Sequence, residues 1–149
     1  MMNTETTQCT LPIATLSNGL RVANFCSPHI FEFEDGSVLG QRDQEWADRV
    51  RANIEDIVVE ERHGVNLIGV SITCSGAAML ELKSLAMNGT EDFDLLILPL
   101  MMCQALARIP TETIRDWFGG KTVDIMSKIV SIRRVGRGGP ISIDKFCVQ

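Results

Sequence analysis

The sequence has no tyrosine, and its other aromatic residues amount to six phenylalanines and two tryptophans in 149 residues. Platforms on which a base could stack are therefore few. Histidine is nearly as scarce. His29 and His63 are the only imidazoles, neither lies in an HExxH, and no GxSxG or Walker pattern occurs. There is no CxxC. The five cysteines, Cys9, Cys26, Cys74, Cys103 and Cys147, are odd in number and widely spaced, which suits reduced thiols in a cytoplasm better than a disulfide framework. Cys26 and His29 form half of a zinc site. Its other two ligands would have to come from distant cysteines such as Cys9 or Cys147, and a closed site needs four of matched geometry, so no metal is expected. The same pair lacks a third group to orient a base for nucleophilic catalysis. Glu60-Glu61 and Asp92/Asp94 read as solvated turns and strand ends. No catalytic residue stands out, and no cofactor is expected.

Long apolar runs are also missing. No segment approaches the roughly 18 residues of a membrane span, and the opening MMNTETTQCTL has no basic stretch followed by an apolar one. The expectation is a cytoplasmic protein without membrane contact. Apolar content of 45% and charged content of 22% are ordinary for a globular chain, and the length suits a single domain over 1–149.

The net charge is −5, which argues against a nucleic-acid polymer as partner. The charge is unevenly placed. Residues 121–145 hold Lys121, Lys128, Arg133, Arg134, Arg137 and Lys145 against Asp124 and Asp144, a net of +4, leaving −9 elsewhere. A local cation cluster on an acidic body suits a small anion better than a long polyanion, which the body repels.

Turn chemistry punctuates the chain. Asn18-Gly19 between TLPIATL (10–16) and LRVANF (20–25) predicts a hairpin. Asp35-Gly36 turns IFEF (30–33) toward SVL (37–39), extending a meander over 10–39. Trp46, Val50, Ile54 and Ile57 at helical spacing predict an amphipathic helix over 42–55. IVVEE (57–61) and NLIGVSIT (66–73) read as a strand pair around His63-Gly64. Ser75 caps a helix with Ala78, Leu82, Leu85 and Ala86 on its apolar side, ending near Asn88-Gly89. DLLIL (94–98) reads as a buried strand, and Pro99 opens a helix through PLMMCQALAR. Thr111 caps a short helix that Gly119-Gly120 stops. IVSIRRV (129–135) and ISIDKFCV (141–148) form a last hairpin. The fold class is α+β: a mostly antiparallel sheet built from the N-terminal meander and C-terminal hairpin, packed with three to four helices.

The candidate site is the segment SIRRVGRGGP (131–140). Arg133 and Arg134 point to opposite faces of a strand. If the chain turns at Gly136, Arg133 and Arg137 converge on one ligand. Guanidinium forks match phosphate oxygens bidentately, and glycines admit backbone N–H groups to the same anion. Trp46, Phe31 and Phe33 are explained by core packing. Phe93, after Glu91-Asp92 and before the buried strand, is expected at a sheet rim where it can meet a ligand.

ANFCSPHIFEFEDGSVL (23–39), DLLILPLMMCQAL (94–106), SIRRVGR (131–137) and SIDKFCV (142–148) together resemble small phage-encoded proteins of the first Thoeris anti-defence family. These are sponges that sequester cyclic ADP-ribose isomers made by bacterial TIR-domain proteins. The resemblance covers about 45 residues. It implies a homo-oligomer, dimer or hexamer, in an infected bacterial host, with ligand pockets at subunit interfaces. It also implies that Arg133 and Arg137 grip the diphosphate, with Arg134 beside them, and that Phe93 stacks on the adenine. Gln104 stands where the family pattern carries asparagine, Gly136 where it carries an acid, and the stretch from Leu106 to Ile129 is longer than in the family. Some members are similar in holding cyclic trinucleotides at a second oligomer site, to which Arg49 and Arg51 could contribute, though an exposed helix face explains that pair more simply. A sponge needs nanomolar affinity, about −12 kcal/mol. Two arginines supply about 3–6 kcal/mol and one stacked base about 1–3 kcal/mol. The ligand must therefore be enclosed, by two subunits or by the helices of 99–118. Two other readings remain open: a protein–protein inhibitor or structural oligomer with a basic contact patch, and a phosphodiester or glycosidic hydrolase of a similar ligand.

Overall fold

The computed structural model describes residues 11–88, 90–119 and 125–149. Cys9, Gly89, Gly120, Lys121 and Asp124, which entered the sequence reading, lie outside them. In chain order the strands are β1 (Ile13–Thr15), β2 (Arg21–Asn24), β3 (Phe31–Glu32), β4 (Val38–Leu39), β5 (Ala52–Arg62), β6 (Val65–Cys74), β7 (Leu95–Ile97), β8 (Ile129–Arg134) and β9 (Ile141–Cys147). The helices are α1 (Gln44–Arg49), α2 (Gly76–Asn88), α3 (Leu100–Ala107) and α4 (Thr111–Trp117). The fold is α+β. Four of the six strand pairings are antiparallel, and the main sheet has five strands in the order β1-β2-β7-β8-β9.

The middle of that sheet is parallel. β2 pairs with β7, and β7 with β8, in parallel registers such as Ala23↔Leu96 and Leu96↔Ile129. These strands are covered on both faces, as parallel strands generally are. Ala23, Leu96 and Ile129 face a cluster with Leu82, Met102, Ile114 and Phe118 from the helices. Val22, Ile97 and Val130 face a second cluster with Phe33, Leu39 and Ile141. The apolar run DLLIL is buried because it supplies both layers.

The turns form where the sequence places them. Gly19 and Gly36 adopt φ of 87° and 88°, a region that suits glycine. Asp35 ties the two N-terminal turns together, since its carboxylate accepts from the backbone N–H groups of Ser17 and Ser37, both at 2.8 Å. Those bonds hold its pKa far below the usual carboxylate range. A depressed pKa contributes stability that is present above the unfolded value near 4 and lost as pH falls. The Tm difference between wild type and Asp35→Asn should accordingly be widest above about pH 5 and shrink as the pH drops from about 4 toward 2. Melting curves across that range check it, and a pH-independent gap contradicts it.

Two helix expectations need correction. The helix expected over 42–55 stops at Arg49, and Ile54 and Ile57 belong to β5. Asp43 caps α1 by accepting from the Trp46 N–H, and Trp46 packs inside as expected, its indole N–H donating to the Phe25 carbonyl at 2.9 Å. Beyond Val50 the chain instead pairs Ala52–Arg62 with Val65–Cys74 in a long ribbon. The isoleucines and valines there have higher strand than helix preference. In α4, Thr111 is the first helical residue and Pro110 takes the cap position, consistent with a proline φ already set at −56°. Ser75 does cap α2, its hydroxyl accepting from Ala78 N–H at 3.2 Å.

Candidate functional site

The carboxyl ends of the parallel strands open onto a cleft of about 340 Å³. β2 runs out through Ser27, and β7 through Leu98, Pro99 and Leu100. Phe31 of β3, Ser131 and Ile132 of β8, and Cys147 of β9 complete the lining with Ile97. Ligands of sheets with parallel strands characteristically bind outside these carboxyl ends. α3 begins here, with Pro99 at its cap, so the first N–H groups of an eight-residue helix border the cleft. The lining is largely apolar, with two hydroxyls and a thiol. A second cleft of about 360 Å³ shares Ser27 and Pro99 with the first, and Cys26, His29 and Arg51 lie along it.

Asn24 shapes the lip between β2 and the cleft. It is fully buried. Its side-chain amide donates to the carbonyls of Ser27 and Gly40, each at 2.9 Å, and its Oδ1 accepts from the Ser27 N–H at 2.8 Å. Every polar group of the side chain is thus used, and Ser27 is held in place.

The cations expected in the basic segment divide sharply. Lys128 is committed internally: its ammonium donates to the carbonyls of Thr90 and Phe93 and lies 5.3 Å from the Phe93 ring centroid. Lys145 lies 3.4 Å from Asp144. Arg134 donates to the Gly139 carbonyl at 2.9 Å. Arg133 and Arg137 are exposed and, among the described residues, make no hydrogen bond or ion pair. The chain does turn at Gly136, whose φ is 71°. A Cβ on Gly139 would meet the Val135 carbonyl oxygen at 2.1 Å, so the tight return of this turn requires glycine there. The β8–β9 pairing jumps from Ile132↔Phe146 to Arg134↔Ile141. Arg133 sits in that irregularity, immediately after two residues that line the first cleft.

Phe93 is not at a rim. It is 2% exposed and packs in the helical-side core, closed over by Lys128, so in this arrangement it offers no face to a ligand. Gln104 is half-buried on α3 and lines neither cleft. The ring in the first cleft is Phe31, which the sequence reading assigned to the core alongside Phe33. Phe33 is indeed buried, at 3%, while Phe31 is only partly covered. The alternation of IFEF puts both on one strand face but does not show that the strand ends at Glu32, leaving Phe31 beside the mouth of β7.

Among the described residues, Cys26, Cys74 and Cys103 carry no reactive signature. Burial pushes the Cys26 thiol up to about 12, and the Cys74 and Cys103 thiols up to about 11, so all three stay protonated at neutral pH. The Cys26 Sγ lies 3.5 Å from the Met102 Sδ in the core. A comparison with protein-family models, curated proteins and solved structures finds no match to this chain. Among the described residues, no helix is long and apolar enough to cross a membrane.

Proposed function

We propose that this chain binds and sequesters a cyclic nucleotide signal, a cyclic ADP-ribose isomer, without degrading it, in the manner of the anti-defence sponges that its sequence resembles. The observation that carries the reading is the pair of exposed guanidiniums of Arg133 and Arg137, which make no hydrogen bond or ion pair among the described residues, on the strand and turn that continue from two residues lining a cleft of ligand size. The other described cations of the basic segment, Lys128, Arg134 and Lys145, are engaged with carbonyls and a carboxylate, so among the described residues these two are the ones left for a phosphate. Phe31 offers a ring face inside the cleft, and the α3 N-terminus favours negative charge. The base sits in the apolar cleft and the diphosphate reaches the arginine turn. Arg51, at the adjoining cleft, supplies a further cation for a cyclic oligonucleotide.

The test is a thermal melt with cyclic ADP-ribose isomers and cyclic oligonucleotides at about 50 μM. Nanomolar binding to the folded chain stabilises by about 4 kcal/mol or more, a shift of about 8–16 °C for a chain of this size. The bound compound, recovered after denaturation, should be intact, and Cys147 in the cleft should alkylate more slowly while it is bound. A shift with no compound rejects the reading. Recovery of a cleaved product converts it to the hydrolase alternative. Co-purification of an acidic protein, together with no nucleotide shift, favours the contact-patch alternative.

A further inference from the structure

α3 begins with donors to spare. Its cap residue, Pro99, makes no side-chain cap bond and has no N–H of its own. The Met102 and Cys103 N–H groups donate to the Pro99 carbonyl at 3.0 and 3.1 Å. Those of Leu100 and Met101 make no hydrogen bond among the described residues. By contrast, Asp43 and Ser75 close the first turns of α1 and α2 with side-chain acceptors. A second, independent observation points into the same cleft. Ser131 is 4% exposed, yet its hydroxyl has no partner among the described residues, and the residue lines the cleft. Buried hydroxyls are seldom left without a partner.

The strand register brings the two features together. Leu96↔Ile129 and Ile97↔Val130 pair in parallel, and the Leu98 N–H donates to the Val130 carbonyl at 2.9 Å. One step further along, Ser131 lies beside Leu98 and the start of α3. Strand alternation puts Ser131 on the same face as Ile129, which is the face that α3 covers. Arg133 follows two residues later, about 6–7 Å along the strand. No carboxylate lines the cleft among the described residues. Its other wall, with Phe31 and Ile97, is apolar and belongs to the opposite face of the sheet.

We propose that Ser131 and the α3 N-terminus form a phosphate subsite. The Ser131 hydroxyl and the Leu100 and Met101 N–H groups donate to one phosphate of a diphosphate, and the arginine turn holds the other. Free N–H groups and the helix dipole both favour an anion there, and a serine hydroxyl is able to donate to it. The base then rests on the apolar wall, away from the donors. The two arginines and one stacked base alone fall short of nanomolar affinity, and these charge-assisted bonds supply part of the difference. The subsite takes its diphosphate from the nucleotide reading and rests on it.

The test is an NMR titration of the isotope-labelled full chain with millimolar inorganic pyrophosphate, and with acetate at matched ionic strength. The Leu100 and Met101 amide resonances should shift saturably with pyrophosphate and stay in place with acetate. Ser131→Ala should weaken the pyrophosphate Kd about tenfold. Its Tm should be unchanged or slightly raised, because the variant removes an unpaired, buried hydroxyl; a purely structural serine gives the reverse pattern. Leu100→Pro removes one donor at the first helical position, where proline is favoured. The extended backbone of Pro99, with ψ of 147°, accepts a following proline, so this variant should keep its fold and also bind about tenfold more weakly. Unmoved Leu100 and Met101 resonances in the wild type overturn the proposal whatever the variants do. Equal shifts with acetate, or a Kd that both variants leave unchanged, overturn it as well. Pyrophosphate shifts at these amides without stabilisation by any cyclic nucleotide keep the subsite and reject the nucleotide reading. Tight nucleotide binding that leaves both amides unmoved keeps that reading and rejects the subsite.

Discussion

Replacing Arg133 and Arg137 together with alanine should lower affinity for the cyclic nucleotide by about 10²–10⁴, with each single change costing at least tenfold. Two charge-assisted contacts are removed, each worth about 1.5–3 kcal/mol, and tenfold is about 1.4 kcal/mol. The fold should not notice. Both side chains are exposed and bond to nothing among the described residues, and surface changes of this kind usually fall within about 0.5 kcal/mol, so Tm should stay within a few degrees. Arg134→Ala is the informative neighbour. It removes a bond to the Gly139 carbonyl and should loosen the turn with a smaller effect on binding. Calorimetric titration of the three variants separates these outcomes. Unchanged affinity in Arg133→Ala and Arg137→Ala removes this turn from the site.

Asn24→Ala should show the opposite pattern, a large loss of stability. The change leaves the Ser27 N–H and the Gly40 carbonyl without the buried Asn24 side chain as partner, Ser27 being half-buried and Gly40 exposed. The Ser27 carbonyl keeps the Arg42 N–H at 2.8 Å. Water reaches the Gly40 carbonyl, so the cost falls mainly on the Ser27 N–H, about 1–3 kcal/mol, or about 2–12 °C in Tm. Asn24→Asp keeps the acceptor but loses both donors and buries a carboxylate, and should be at least as damaging. Chemical denaturation measures both. A loss under about 1 kcal/mol in both variants would mean that Ser27 and Gly40 find other partners. Because Asn24 fixes Ser27 at the junction of the two clefts, Asn24→Ala should also weaken nucleotide binding, with a stability cost that the arginine variants do not share.

Local chemistry made much of this chain legible in its sequence. Asn18-Gly19, Asp35-Gly36 and His63-Gly64 mark turns because few residues tolerate the left-handed backbone found at Gly19, Gly36, His63 and Gly64. Ser75 and Pro99 mark helix starts because an N-terminal turn needs an acceptor or can spare a donor. The run DLLIL announces a strand buried on both faces. The arginine turn, too, was visible, as a basic cluster in an acidic chain with glycines that permit the bend.

The tertiary structure decided what depends on contacts distant in sequence. Helical periodicity over 42–55 gave way to strand pairing because ten residue pairs with 65–74 outweighed a local preference. The parallel alignment of β2, β7 and β8 is set by segments more than thirty residues apart, and it is this alignment that creates the cleft. Phe93 left the candidate site because the Lys128 side chain closes over it, a pairing across 35 positions that no local pattern encodes. Phe31 entered it for the same reason. Residue types and spacing state what each position can do; packing then determines which of those groups still face solvent, and here it left Arg133 and Arg137.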